Sequence, residues 1–316
     1  MNQGWIYREK VDRSGAGQSV LDYYSQRYRH STRQVWQQRI EQGLIQLDGS
    51  VTTANTILRS HQQLAYHRPP WQEPEVPLTF HIHLETDDYL VIEKPSGLPV
   101  MPGGGFLDHT LLKQLEKQYP ANPPIPIHRL GRGTSGLMLL ARSPLAKSDL
   151  TRQMRDRQIC KIYHAVVSSV DLPDCFNINI PIGKIPHPVL GEVFAAVADT
   201  QKLALSAHSQ CRVLQRNAAQ AIVEVQITTG RPHQIRIHLA AVGYPLLGDP
   251  LYQAGGGIRV SSLASNEAED KIAVPGDCGY QLHAHHLTFT DPRSQHSVTV
   301  TSPTPFVIPP QATTIV

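Results

Sequence analysis

Cysteine is scarce in this chain. Four residues in 316, Cys160, Cys175, Cys211 and Cys278, stand far apart and form no Cys-x-x-Cys pair. That excludes a zinc-ribbon spacing and a disulfide framework, and it suits a reduced cytoplasmic interior. Long hydrophobic runs are missing too. None approaches the roughly 20 apolar residues of a bilayer-spanning helix, and one of the longer ones, Gly136 to Ala141, reads as a buried strand. No membrane association is expected. Arg8, Glu9, Lys10, Asp12 and Arg13 precede any apolar core at the front of the chain, unlike a secretory signal. No internal repeat is visible. Charged residues make up 17% and hydrophobic ones 40%, the balance of a globular protein and not of a disordered one.

The net charge is only +3, but it is unevenly spread. Residues 1–70 hold nine Lys and Arg against five Asp and Glu, whereas the remainder holds 20 against 21. A basic front module suits a polyanion, because each cation set against a phosphate releases a condensed counterion. A solvated polar surface is the plain alternative. Arg outnumbers Lys by 20 to 9, and the planar guanidinium suits bidentate phosphate contacts.

A chain of this length exceeds a typical single core and predicts one large domain with a small one. Pro69, Pro70, Pro74 and Pro77 stiffen an extended linker over residues 69–78, leaving a small domain at 1–68 and a large one at 79–316. In the small domain, Gln18–Tyr28 and Thr32–Gln42 read as helices, the second capped by Ser31 or Thr32 and ended by Gly43. Two short strands flank the Asp48-Gly49 turn. In the large domain Thr79–Leu84, Tyr89–Ile92, Leu137–Ala141, Tyr163–Ser168 and Ala221–Thr228 read as strands, with helices near Thr110–Tyr119 and Asp149–Gln158. Residues 254–279, glycine- and serine-rich with few apolar side chains, read as a mobile insertion. The expected class is α+β.

One segment carries chemistry. His128-Arg129-Leu130-Gly131-Arg132-Gly133-Thr134-Ser135-Gly136 resembles the signature of the RluA family of RNA pseudouridine synthases, normally written His-Arg-Leu-Asp-x-x-Thr-Ser-Gly. Four more segments follow the family's order. Asp87–Val100 contains Lys94-Pro95-Ser96-Gly97; Lys161-Ile162-Tyr163-His164-Ala165 looks like the second motif; Gly230-Arg231-Pro232-His233-Gln234-Ile235-Arg236, continued by Gly248-Asp249-Pro250, looks like the third; Leu282–Phe289 matches the last.

The resemblance implies the pseudouridine synthase fold, a mixed, largely antiparallel sheet with flanking helices around a central RNA-binding cleft. The helix–helix–hairpin layout of the front domain, followed by Leu58 to Tyr66, looks like the small RNA-binding domain found in ribosomal proteins and at the front of many members of this family. The implied activity breaks the bond between ribose and uracil, turns the base and rejoins it through carbon 5, after flipping the uridine out of structured RNA, ribosomal or transfer. On this reading Arg129 fills the vacated space, Tyr163 packs on the uracil and helps remove the carbon-5 proton, and Arg236 pairs with the family's catalytic Asp. His128, Arg132, Arg231, His233 and Gln234, with Arg27 and Arg33 of the front domain, are expected to bind RNA. A monomer needing no cofactor is expected.

The family's Asp is replaced by Gly131. Either another carboxylate restores a partner for Arg236, with Asp249, Asp108 and Asp156 equally open, or the protein binds RNA without isomerising it. A different reaction on the same scaffold is a third account, with nothing in the sequence for it. Sixteen histidines, His283, His285 and His286 among them, lack a Glu or Cys at ligand spacing, so no metal site is expected.

Overall fold

The computed structural model describes residues 1–168, 171–188, 190–259 and 276–308. They form two compact units, Met1–Glu73 with Pro186–Glu192, and Pro74–Ile185 with Val193–Val316.

In the first unit β1 (Trp5–Lys10) precedes α1 (Val20–Arg27) and α2 (Arg33–Glu41), followed by β2 (Ile45–Leu47), β3 (Ser50–Val51) and β4 (Gln63–Arg68). The strands form one antiparallel sheet in the order β1-β4-β2-β3. Hydroxyls start both helices: Ser19 accepts the Asp22 N–H and Thr32 the Val35 N–H. Trp36 of α2 packs on Tyr24 and Tyr66, with ring centroids 4.8 and 5.4 Å apart. β1 escapes sequence reading because it is an edge strand, exposed along nearly its whole length, and lacks alternating burial.

The second unit runs β5 (His81–Glu85), β6 (Tyr89–Lys94), α3 (Leu111–Gln118), β7 (Ile125–Pro126), β8 (Ser135–Ala141), α4 (Pro144–Arg155), β9 (Cys160–Ser168) and β10 (Cys175–Ile178). The strands β11 (Ile182–His187) and β12 (Gly191–Ala196) come next, with Pro186–His187 and Gly191–Glu192 falling in the first unit, then β13 (Ser209–Arg216), β14 (Gln220–Ile227), α5 (Gln234–Ala241), β15 (Leu282–Thr290) and β16 (Ser297–Thr301). Its main sheet has the order β10-β13-β14-β9-β15-β8-β6-β5, with β16 on β15 and β7 on β8. Among the described strands of this sheet, β8 and β15 alone pair in parallel, Ser135 opposite His283 and Gly136 opposite Ala284. The mixed, largely antiparallel α+β architecture agrees with the expected class.

Both faces of the sheet are covered. Leu90, Ile92, Met138, Leu140 and Val225 pack with Leu111 and Leu115 of α3 and Ile235 and Leu239 of α5. Tyr89, Val91, Leu137, Leu139 and Phe289 pack on Ala146 and Leu150 of α4. Burial on both faces explains why β8 reads as an unbroken apolar run and not as an alternation.

The helix expected at Asp149–Gln158 begins five residues earlier. Ser143 caps it by accepting the Ala146 N–H, Pro144 opens its first turn, and Asp156 closes it after Arg155. Of the insertion expected at 254–279, residues 260–275 lie outside the described residues, and Ala254–Gly256 form one 3-10 turn.

Candidate active site

The loop from His128 to Thr134 enters the site from the β7 side and turns into β8. Its backbone is held from below. The Thr134 N–H donates to the Gly131 carbonyl at 3.1 Å. Lys94, fully buried, donates through Nζ to the carbonyls of Pro95, Leu98 and Arg132 at 2.8, 2.9 and 3.1 Å. Ser96 adds a bond from its hydroxyl to the Gly133 carbonyl at 2.8 Å. Burial pulls the Lys94 ammonium down to about 7, yet three carbonyls meet its three N–H donors, an arrangement that favours the charged form. The Lys94–Gly97 segment thus acts as a clamp on the 131–133 backbone.

Beside this loop lies a cavity of about 500 Å³ whose lining includes Arg129, Gly131, Thr134, Tyr163, Arg236 and Tyr280. β9 delivers Tyr163, which is 7% exposed and whose phenol burial pushes up to about 12. α5 delivers Arg236 from its first turn. The guanidinium is buried and paired twice with Asp249, Nε to Oδ2 at 2.7 Å and Nη2 to Oδ1 at 2.9 Å. Burial alone would lower the Arg236 pKa; the bonds and charge of Asp249 reverse this and hold it raised. Oδ1 of Asp249 also accepts the N–H groups of Leu251 and Tyr252 at 2.9 Å each. The rings of Tyr280 and Tyr252 stand 4.2 and 4.9 Å from the guanidinium carbon.

Of the three carboxylates open from the sequence, Asp249 is therefore the partner of Arg236. It is a structural one. Neither Asp249 nor Asp108 nor Asp156 lines the cavity, and among the described residues no Asp or Glu does. Asp156 closes α4 and pairs with Arg155 at the surface. The lining holds Arg129, Arg155, Arg157, Lys161, Arg231 and Arg236, a concentration of positive charge suited to a phosphate backbone.

The other expected RNA-binding residues divide. Arg129 is exposed and lines the cavity. His128 lines it as well, but its Nε2 accepts the Leu139 N–H at 3.1 Å and burial lowers its pKa to about 3, so the ring is neutral and bound to the sheet. Arg231 lines the cavity and donates to the Ser206 carbonyl at 2.9 Å. His233 has a left-handed backbone (φ 53°), its Nδ1 lies 2.8 Å from the Tyr252 hydroxyl, and burial lowers its pKa to about 4. Gln234 spends its amide inward: Oε1 accepts from the Thr229 hydroxyl and the Arg231 N–H, and Nε2 donates to the His208 carbonyl and the Ser209 hydroxyl. Arg132 is not among the lining residues; it donates to the Gly276 carbonyl at 2.8 Å, and its guanidinium stands 5.1 Å from the Phe106 ring. Arg27 and Arg33 lie on the first unit, exposed and paired with Asp12 and Asp22. His283 bridges the hydroxyls of Ser135 and Ser302 at 2.9 and 3.0 Å, and His285 stacks on His164 with centroids 3.9 Å apart.

The family model described as RNA pseudouridylate synthase matches residues 88–241, a span that includes Arg129, Gly131, Thr134, Tyr163 and Arg236 of the cavity and ends before Tyr280. An uncharacterised RNA pseudouridine synthase of Synechocystis sp. is 47% identical over 94% of this chain and 98% of its own length. The chain belongs to the RNA pseudouridine synthase family. The ribosomal large subunit pseudouridine synthase D of Pseudomonas aeruginosa is 34% identical over 84% of the chain and 82% of its own length. In fold, the solved human RNA pseudouridylate synthase domain containing 1 covers 75% of the chain and is itself covered to 88%, with a TM-score of 0.56 at 24% identity. Within this pseudouridine synthase framework, sequence reasoning missed Lys94 and Ser96 as the clamp and Tyr280 and Tyr252 as the aromatic walls of Arg236. Lys94 and Ser96 sat in a quoted motif. Nothing local marks Tyr280, since its site partner Thr134 is 146 residues away.

Proposed function

We propose that the chain isomerises a uridine of structured RNA to pseudouridine in the cavity beside the 128–134 loop. The observation that carries this reading is the convergence of Tyr163, Arg236 and Arg129 from three separate motifs on one cationic cavity. Arg129, exposed at the cavity, takes the space that the flipped base leaves in the RNA. Tyr163, neutral and buried, packs on the uracil and lies near the carbon-5 proton. Arg236 holds the cavity wall. Gly131 stands where the family motif has its catalytic Asp. We take ribosomal RNA as the substrate, on the strength of the large-subunit name of the Pseudomonas relative, and the protein as a monomer.

The second reading is RNA binding without turnover. It is favoured by the lack of any carboxylate on the cavity among the described residues. Pseudouridine formation by the purified protein, assayed on ribosomal and transfer RNA lacking the modification, separates the two. Product at discrete uridines of ribosomal RNA is expected. Tight RNA binding with no product in either RNA would hand the site to the second reading.

A further inference from the structure

Gly131 leaves no void. A Cβ built on it would stand 2.7 Å from the Tyr280 hydroxyl oxygen and 3.4 Å from Thr134 Oγ1. A Cβ on Gly133 would stand 2.9 and 3.0 Å from Cε1 and Cζ of the same ring and 3.1 Å from the Cys278 Cα. Neither glycine has the positive φ that would itself call for glycine. At Gly131 the neighbours are the ends of the Tyr280 and Thr134 side chains, and at Gly133 the Tyr280 ring and the Cys278 backbone, so Tyr280 takes the space beside both. The ring is 5% exposed and lines the cavity with Tyr163 and Arg236. Its oxygen lies 3.2 Å from Thr134 Oγ1.

We propose that Tyr280 is a catalytic residue of this enzyme, its hydroxyl occupying the position of the absent side chain at 131 and donating a hydrogen bond to a uracil carbonyl oxygen as the glycosidic bond breaks. The proposal rests on reading the cavity as the uridine site. When the bond between nitrogen 1 and the ribose carbon breaks, its electron pair enters the uracil ring and negative charge collects on the two carbonyl oxygens. A fixed donor aimed at such an oxygen acts where charge develops. Burial raises the Tyr280 pKa, so the hydroxyl keeps its proton and remains a donor. The Arg236 guanidinium, 4.2 Å from the ring centroid, draws electron density from the ring and strengthens that donor. Thr134 fixes its direction. Carbon 5 then forms its bond to the ribose carbon with the uracil electron pair. The carbon-5 proton passes to water, nitrogen 1 takes one up, and nothing is consumed. Tyr280 lends a hydrogen bond and keeps its proton throughout.

The test is Tyr280→Phe, which keeps the ring on Arg236 and between the glycines and removes only the oxygen. Turnover on unmodified RNA and RNA affinity are measured for wild type and variant. The expected result is a fall in kcat of about 100-fold with KM and RNA affinity unchanged, the loss typical of one donor to a developing charge. A kcat within twofold of wild type would overturn the proposal and reduce Tyr280 to a space-filler, while leaving the isomerase reading intact. No product from wild type itself is the failure of that reading, and the role of Tyr280 falls with it. Should Tyr280→Phe not fold, Thr134→Val probes the same hydroxyl through its hydrogen-bond partner. A drop in kcat of about tenfold is then expected, and an unchanged kcat overturns the proposal.

Discussion

At the scale of single residues, the site is organised by what holds Arg236. The guanidinium and the Asp249 carboxylate are both nearly inaccessible to solvent, with side-chain exposures of 3% and 1%. A buried pair contributes little net stability against a well-packed apolar pair, but removing one partner strands the other charge in a poor solvent. Asp249→Asn keeps the volume and an oxygen for the Leu251 and Tyr252 N–H groups while removing the charge. It is expected to cost about 3 kcal/mol of stability, read as a lower urea midpoint at unchanged slope. An unchanged midpoint would mean that Arg236 finds its counter-charge elsewhere. Legibility at this scale followed the motifs. Tyr163 and Arg236 could be named because each stands in a recognisable segment. Asp249 could be nominated, but not chosen over Asp108 and Asp156, since the geometry that selects it arises only when the turn after α5 folds back on the helix. Tyr280 was invisible. Its relation to Gly131 is one of shared volume, and no spacing in the chain encodes that.

Among elements, the junction of β8 and β15 decides whether the site loop is delivered at all. These two strands pair in parallel for only two residues, and Gly136 sits at the contact with φ 107°. A Cβ there would lie 2.3 Å from the Ala284 carbonyl oxygen and 2.5 Å from its nitrogen. The Thr134-Ser135-Gly136 motif thus has a mechanical reading: Thr134 faces Tyr280, Ser135 bonds His283, and Gly136 permits the close approach. Gly136→Ala adds a backbone clash to a conformation that alanine resists, and it is expected to destabilise by at least about 3 kcal/mol. Thermal unfolding of the purified variant measures this, and a melting temperature equal to wild type would show that β15 can yield. The strands buried on both faces, β6 and β8, were legible as short apolar runs. β1 and β10 were not, because exposed or half-covered strands lack both the run and the alternation that mark a strand in sequence; β12 was missed although Val193–Ala196 is an apolar run. Helix α4 was legible in existence and misplaced in start, since Ser143 and Pro144 mark its beginning outside the Arg-rich stretch that drew attention.

For the molecule as a whole, the question is how RNA affinity is shared between the cavity and the basic first unit. The cavity brings six cationic side chains together, and residues 1–70 carry the charge surplus of the sequence. Arg27 and Arg33 are engaged with carboxylates in the free protein, Arg27 with Asp12 at 3.1 Å and with Glu9 at 3.7 Å. These pairs do not disqualify them. Their side chains are 44% and 58% exposed, and exposed ion pairs are weak because solvent and salt screen them, so a phosphate can displace the carboxylates at small cost. If the first unit tethers RNA, Arg27→Ala with Arg33→Ala removes two phosphate contacts. The slope of log affinity against log salt should then become shallower by roughly 1.5, with weaker binding at low salt and a smaller difference at high salt. Turnover at saturating RNA should be retained, because neither residue is among those lining the cavity. Affinity and salt slope equal to wild type would assign RNA capture to the cavity cations alone, and the front unit would need another explanation for its charge.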